Sequence, residues 1–469
     1  MPHGVRILAA CVILCLFLTI ALIPVDDPDI WWHLKTGEFL LGAGAGLSPD
    51  VPVRTWLGLR FPVSDPFSYT ATEPWRIYAW LPEIFFYGFW RQWGFAGLQI
   101  FFALISAIFA WRFWSLMSAL NPRPALCIAT TVLATFAVTN FAGPRPQLFS
   151  CLFLCETMSA IILHARSQSR SILALPAIFL LWSNCHILFP IGLFFAGVYV
   201  ACRLPADRRL GAILIASVAA CAINPCGPDI FSELRVQMGD WLWAHISELA
   251  PPNPRLPATI ALFFLLGLSM VWLSLWGREL VLWEWALVIG SFYLAFYARK
   301  FIPIPFIVAL PGLYSHGKFE KFSRAEEFRV HPLLTVAVAA VLVAALLAGR
   351  PQRNLQYTQP AGAAEFLLAH PRAGNIANTY DDGGYLIWKL WPGTKVFVDG
   401  RAQIFSADFL TNDYATLTLE NGGRNMDQML DRHGIRTIIW PAAHPTVTLL
   451  EKSGWTEIYS DTYRVVLAR

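Results

Sequence analysis

Eleven apolar runs divided by short polar connectors occupy most of this chain: residues 5–24, 95–118, 124–140, 147–163, 171–184, 187–202, 210–223, 257–276, 279–297, 301–315 and 332–349. A backbone crossing hydrocarbon must satisfy its own N–H and C=O groups, and a helix does so within one segment. The runs therefore predict an α-helical multi-span membrane protein with about eleven spans. Several are shorter than the roughly 20 residues that cross about 30 Å of hydrocarbon. Short runs flank residues 184–186 and 224–227, which predicts a recessed surface or a cavity there. Composition agrees, because only 14% of the residues are charged, against about 25% in soluble domains. A net charge of +4 is too small to suggest a nucleic-acid partner.

Residues 5–24 could serve as a signal peptide, but no small-residue cleavage site follows, so the run reads as a retained first span. Lys and Arg collect in alternate connectors, around Arg112 and Arg123, Arg166 and Arg170, Arg203, Arg208 and Arg209, Arg278, and residues 318–329. Positive residues favour the cytoplasmic side, which predicts an inside N-terminus and an extracytoplasmic C-terminus. The polar clusters then share the outer face. They comprise residues 26–33, 65–70, 145–147, 184–186, 224–227 and 299–300.

Two outer segments are long. Residues 25–94 form a first loop rich in Pro, Gly and Trp, closed by a helix over about 78–92. In residues 228–256, Phe231, Leu234, Met238, Trp241, Leu242 and His245 recur at helical spacing. That pattern fits a helix lying in the interface or one capping the bundle. From about 350 the composition becomes that of a soluble domain. Strands are expected at 375–380, 395–400, 437–442 and 463–468, with helices at 361–369, 406–419 and 424–433, the last ended by Gly434. This alternation predicts a small α/β domain, so the division expected is a membrane domain over 1–349, including the loop 25–94, and a soluble domain over 350–469. The nine cysteines show no CxxC and no metal-finger spacing, which argues against a disulfide framework.

The densest chemistry lies in VDDPDIWWHLKTGE, residues 25–38. Pro28 suits a helix's first turn, and Asp29 and His33, four apart, would share a helical face. A carboxylate and an imidazole could hold a divalent metal, or a carboxylate alone could act as a general base. The plainer alternative is that Asp27 caps the helix and the tryptophans form an interfacial belt. Arg145, Arg299 and Lys300 lie at outer span ends, where they could meet a phosphate or snorkel to headgroups. Asn184 and His186 occupy a turn between two short spans, where a structural role competes with ligand binding. In the tail, Asp381, Asp382, Asp399 and Arg401 read as structural turn and strand-end residues.

DPDIWWHLKTGEFL (27–40), DPFSYT (65–70) and WLPEIFFY (80–87) together resemble the first outer loop of bacterial polytopic membrane proteins of the GT-C glycosyltransferase superfamily. RPQLFS (145–150), LWSNCH (181–186), NPCG (224–227), Arg299 and GGYLIWKLWPGTKVFVDGR (383–401) follow in the order that group shows, so the resemblance covers nearly the whole chain. It implies transfer of a sugar from a polyprenyl-phosphate carrier to an extracytoplasmic glycan, lipid or protein, often with a divalent metal ion. It further implies that Asp27 and Asp29 are the catalytic carboxylates, with Asp29 and His33 toward a metal. Asp65, Glu83, Arg145, Gln147, Asn184, His186 and Arg299 would bind substrate. The chain departs from the family's pattern in two places. Tyr78 and Ala79 stand where a His-Glu pair often precedes the Trp-Leu, and Ile187 replaces a glycine after His186.

Two other classes keep the topology. A transporter or flippase of a lipid-linked glycan needs ionisable residues near the membrane midplane, and only Glu156 and Glu284 offer themselves within the runs. A non-catalytic envelope assembly factor needs no acidic pair. The one-sided gathering of polar groups favours the enzyme.

Overall fold

The computed structural model describes residues 3–42, 52–120, 123–142, 145–236, 245–316 and 359–469. In chain order its elements begin with α1 (His3–Ala21), α2 (Ile30–Leu41), a hairpin β1 (Val53–Trp56) and β2 (Leu59–Pro62), and α3 (Trp80–Leu120). Next come α4 (Pro124–Ala142), α5 (Gln147–Ser167), α6 (Leu175–Ser183), α7 (Phe189–Arg203), α8 (Arg209–Cys221) and α9 (Ile230–Val236). Then follow α10 (Pro257–Trp276), α11 (Leu282–Tyr297) and α12 (Pro303–His316). The tail contains α13 (Ala361–Ala369), β3 (Asn375–Ala377), α14 (Tyr380–Leu390), α15 (Met426–Arg432), β4 (Ile435–Pro441), α16 (Pro445–Lys452), β5 (Thr456–Ser460) and β6 (Arg464–Ala468).

Contacts divide the chain into two compact units. One joins residues 1–24, 93–230 and 246–351; the other joins 25–92, 231–245 and 352–469. The first outer loop thus clusters with the tail, whereas the sequence had grouped it with the spans. Gly94 marks the division inside α3: its φ of 58° and ψ of −141° break the helix, a conformation that glycine adopts without steric cost.

The first unit is a bundle of apolar helices. Ten of the eleven expected runs coincide with described helices; the run at 332–349 lies outside the described residues. Three described helices, α1, α3 and α5, are long and apolar enough to cross a membrane, and shorter apolar ones accompany them. Both carboxylates weighed for a transporter have helix-building partners. Glu156 of α5 takes a two-point ion pair from Arg112 of α3, at 2.5 and 2.7 Å. Glu284 accepts the Val281 N–H at the start of α11, at 3.0 Å. All nine cysteines are free thiols.

In the second unit the tail carries a four-stranded sheet ordered β3-β4-β6-β5, with β3 parallel to β4 and the other pairs antiparallel. Helix 361–369 falls where expected, and Gly434, at φ 62°, follows α15. Two expectations fail. Residues 395–400 do not join the sheet; Val396 instead bridges to Ser68, its N–H donating to Phe67 O at 3.0 Å. Strand β5 escaped notice because its outward, half-exposed residues show no apolar alternation. Residues 406–419 form a π-helical stretch and a short α-turn rather than one helix. Of the helix expected in 228–256, only α9 and residues from 245 onward are described; Met238, Trp241 and Leu242 lie outside the described residues.

Candidate active site

Helix α2 begins directly after the acidic cluster. Asp29 is its N-cap residue, yet its side chain caps nothing, while Asp27 Oδ1 accepts the Asp29 N–H at 2.9 Å. Asp27 O also accepts the Ile30 N–H. Asp27 thus orders the turn that leads into α2, and the Asp29 side chain is half-buried. That carboxylate rests on the tail: a Cβ built on Gly400 would lie 2.0 Å from Asp29 Oδ1 and 3.2 Å from Trp32 Nε1. Only a glycine permits so close an approach. Gly384 gives α2 similar room, since its Cβ would sit 3.0 Å from Pro28 O. Tyr380 Oη donates to Gly400 O at 2.8 Å. Burial first, then the charges of Asp29 and Asp399, push the Tyr380 hydroxyl well above its usual pKa, so it stays protonated.

Beside this corner lies a fully enclosed ion cluster. Arg401 donates to Asp65 at 2.5 and 3.2 Å and to Asp399 at 2.8 and 2.7 Å, and none of the three side chains is exposed. The guanidinium lies 4.8 Å from the Trp75 ring, 5.3 Å from Phe67 and 5.9 Å from Trp32. Asp65 also accepts the backbone N–H groups of Phe67 and Ser68. Burial raises the Asp65 pKa above the carboxylate range, with Asp399 adding and Arg401 opposing. Asp65 was expected at the substrate. Complete burial and engagement of both oxygens make it a joint between the first loop and the tail, shared with Arg401 and Asp399.

His33 and Glu83 form a second enclosed pair. His33 Nδ1 lies 2.8 Å from Glu83 Oε1, with both side chains under a tenth exposed. Gly37 lets α2 press onto α3, because a Cβ there would meet Glu83 O at 2.1 Å. Through Oε1, Glu83 helps hold α2 against α3. Among the described residues no group of three or more His, Cys, Asp or Glu side chains could hold a metal ion. With His33 Nδ1 turned to Glu83, Nε2 is the ring nitrogen by which His33 could face a metal.

The remaining expected residues belong to the bundle unit. Gln147 donates to Lys300 O at 2.8 Å, and Asn184 ties the end of α6 to Leu180 O and Ile223 O. Arg145 pairs with Glu248, too distant in the chain for local pattern to identify, and Arg299 reaches Ser247 Oγ at 3.3 Å. The Trp182 indole donates to Ser150 Oγ at 2.7 Å, and Ser150 Oγ lies 2.8 Å from His186 Nδ1. An indole only donates, so Ser150 Oγ accepts from Trp182 and shares a second hydrogen bond with His186 Nδ1. Gln147, Ser150, Trp182 and Lys300 line a half-open crevice of about 20 Å³ with apolar walls from Ile304 and Ile307. That is room for about one water.

No protein-family profile matches the chain, and no curated protein matches it by sequence. Its fold does match solved structures. The Archaeoglobus fulgidus oligosaccharyltransferase in its apo form superposes with a TM-score of 0.57 at 11% identity, over 92% of this chain and 69% of that one. The same archaeal protein, AglB, with an inhibitory peptide and a dolichol-phosphate gives 0.54 at 11%, over 94% and 69%; it was also crystallised with Zn and sulfate. A mutant of the mycobacterial arabinofuranosyltransferase AftD gives 0.56 at 13%, over all of this chain but only 41% of that one. These neighbours are an oligosaccharyltransferase and an arabinofuranosyltransferase, and the chain shares their fold.

Proposed function

We propose that this chain is an integral-membrane glycosyltransferase of GT-C type. It would move a sugar from a polyprenyl-phosphate carrier to a glycan, lipid or protein acceptor on the outer face of a bacterial cytoplasmic membrane, with the N-terminus inside and the tail outside. The observation that carries the reading is Asp29: a carboxylate at a helix start, its Oδ1 held against a bare glycine. In the reaction the acceptor hydroxyl gives its proton to Asp29 as its oxygen attacks the anomeric carbon. The bond from that carbon to the phosphate oxygen breaks, and polyprenyl phosphate leaves with the electron pair. Asp29 acts as general base; Asp27 orients it through the Asp29 N–H. Arg145, Gln147, His186 and Arg299 are proposed to bind the substrate; Asn184 orders the turn that carries His186.

The dolichol-phosphate complex of AglB supports a lipid-phosphate donor. The zinc structure supports a divalent ion; treatment with EDTA followed by Mg²⁺, Mn²⁺ or Zn²⁺ tests whether one is needed. The central test is Asp29→Asn in native membranes supplied with ¹⁴C-labelled polyprenyl-phosphate pentoses and hexoses. Loss of a general base lowers turnover by about 10²- to 10⁴-fold, with protein abundance unchanged. Full activity in the variant rejects the role.

A further inference from the structure

The tail reaches the proposed base at one point, and that point is built with care. Gly400 is held on three sides. Tyr380 Oη binds its carbonyl at 2.8 Å. Asp399 Oδ1 accepts the N–H of Arg401 at 2.9 Å, directly after it. The Arg401 side chain is locked between Asp65 and Asp399. Its α-carbon is therefore a fixed floor, whereas the Asp29 carboxylate above it is the end of a short side chain. Trp32 Nε1 borders the same spot, enclosed and without a hydrogen-bond partner among the described residues.

We infer that Gly400 is a positioning residue for the transfer reaction, its missing side chain fixing where the Asp29 carboxylate stands. The inference rests on Asp29 being the base. Gly400 is not among the glycines at positive φ, so alanine meets no backbone strain there. Its added methyl would sit 2.0 Å from Asp29 Oδ1, and because the floor is pinned, the carboxylate is what moves. Ordinary contact begins near 3.4 Å, which requires a retreat of about 1.4 Å, and a misplacement of about 1 Å can already cost about 100-fold in rate. Tyr380→Phe should act more mildly, since it keeps the ring and removes only the hydroxyl that fixes Gly400 O.

The experiment uses the full chain in native membranes and the labelled polyprenyl-phosphate sugar that the wild type transfers. Gly400→Ala should lower kcat by about tenfold or more while KM for the carrier stays within about twofold and the thermal midpoint in detergent is unchanged. Tyr380→Phe should lower kcat by a smaller factor in the same manner. If Asp29→Asn is inactive but both variants keep wild-type kcat, the inference falls and the proposed reaction stands. A loss carried by KM or by a lowered midpoint in both variants also overturns it. If Asp29→Asn is fully active, the proposed base fails and the inference fails with it.

Discussion

Arg401 and Asp65, 336 positions apart in the chain, meet with no exposure on either side chain, Nη1 standing 2.5 Å from Oδ1. Asp399 closes the other side of the same guanidinium. One cation thus serves two carboxylates in a dry pocket floored by Trp32, Phe67 and Trp75. Buried charges persist only when paired and hydrogen-bonded. The first loop and the tail therefore depend on each other electrostatically, which explains why contacts group them in one unit.

Removing the cation should hurt more than removing one anion. Arg401→Met leaves two buried carboxylates without their partner, at a cost of about 3–5 kcal/mol. Asp65→Asn leaves a balanced Arg401–Asp399 pair and should cost about 1–3 kcal/mol. Thermal unfolding in detergent should rank Arg401→Met below Asp65→Asn, and the reverse order would contradict the pairing described.

Asp65 also gives the fold a pH signature. Its folded pKa is raised by burial, so the folded state binds this proton more tightly than the unfolded chain does. The contribution is fully present below the unfolded value of about 3.9 and is lost as pH rises through the raised folded value. The difference in unfolding midpoint between wild type and Asp65→Asn should therefore grow more unfavourable to the wild type as pH is increased from about 4. A difference constant with pH would show that Asp65 does not titrate in this way.

The helices of the bundle were legible because a lipid-facing run must be apolar throughout, and run 257–276 matches α10 to the residue. Helix 361–369 was equally plain. Residues 395–400 misled because KVFVDG has strand composition, yet its backbone partner is Ser68, hundreds of residues earlier; local pattern carries no information about so distant an edge. The setting of Asp65 was not legible for a related reason. A carboxylate in a loop motif looks the same whether it faces substrate or a buried cation, and the cation, Arg401, lay in the tail. Gly400 and Tyr380 were missed because a glycine beside an aspartate reads as a turn. What sets it apart is the Asp29 oxygen lying over it.

Ser150 joins two side chains of the bundle. Alanine there strips the Trp182 indole of its acceptor and His186 Nδ1 of its hydrogen-bond partner Ser150. An unsatisfied buried polar group costs about 1–3 kcal/mol, so Ser150→Ala should lower the unfolding midpoint clearly. Ser115→Ala, which removes only a hydroxyl bonded to Trp111 O four residues back, should change stability by no more than about 0.5 kcal/mol. Equal effects from the two would mean that the Trp182–Ser150–His186 chain is not formed.

Two glycines of α7 make the sharpest test of packing, because the same substitution should have opposite signs one turn and a half apart. A Cβ on Gly192 would lie 2.3 Å from Trp182 Cζ3 and 3.1 Å from Phe179 Cε1. Those rings are stacked, with centroids 5.7 Å apart and planes 8° from parallel, and both are buried. The tryptophan is also fixed by its bond to Ser150, so it cannot yield cheaply, and overpacking of this kind costs about 1–3 kcal/mol. At Gly197 nothing lies within 4 Å of the added carbon. There alanine brings only its better helix propensity, a gain of about 0.5–1 kcal/mol. Unfolding midpoints in detergent should fall for Gly192→Ala and rise for Gly197→Ala. A Gly192→Ala protein as stable as the wild type would show that α6 and α7 do not meet through Trp182.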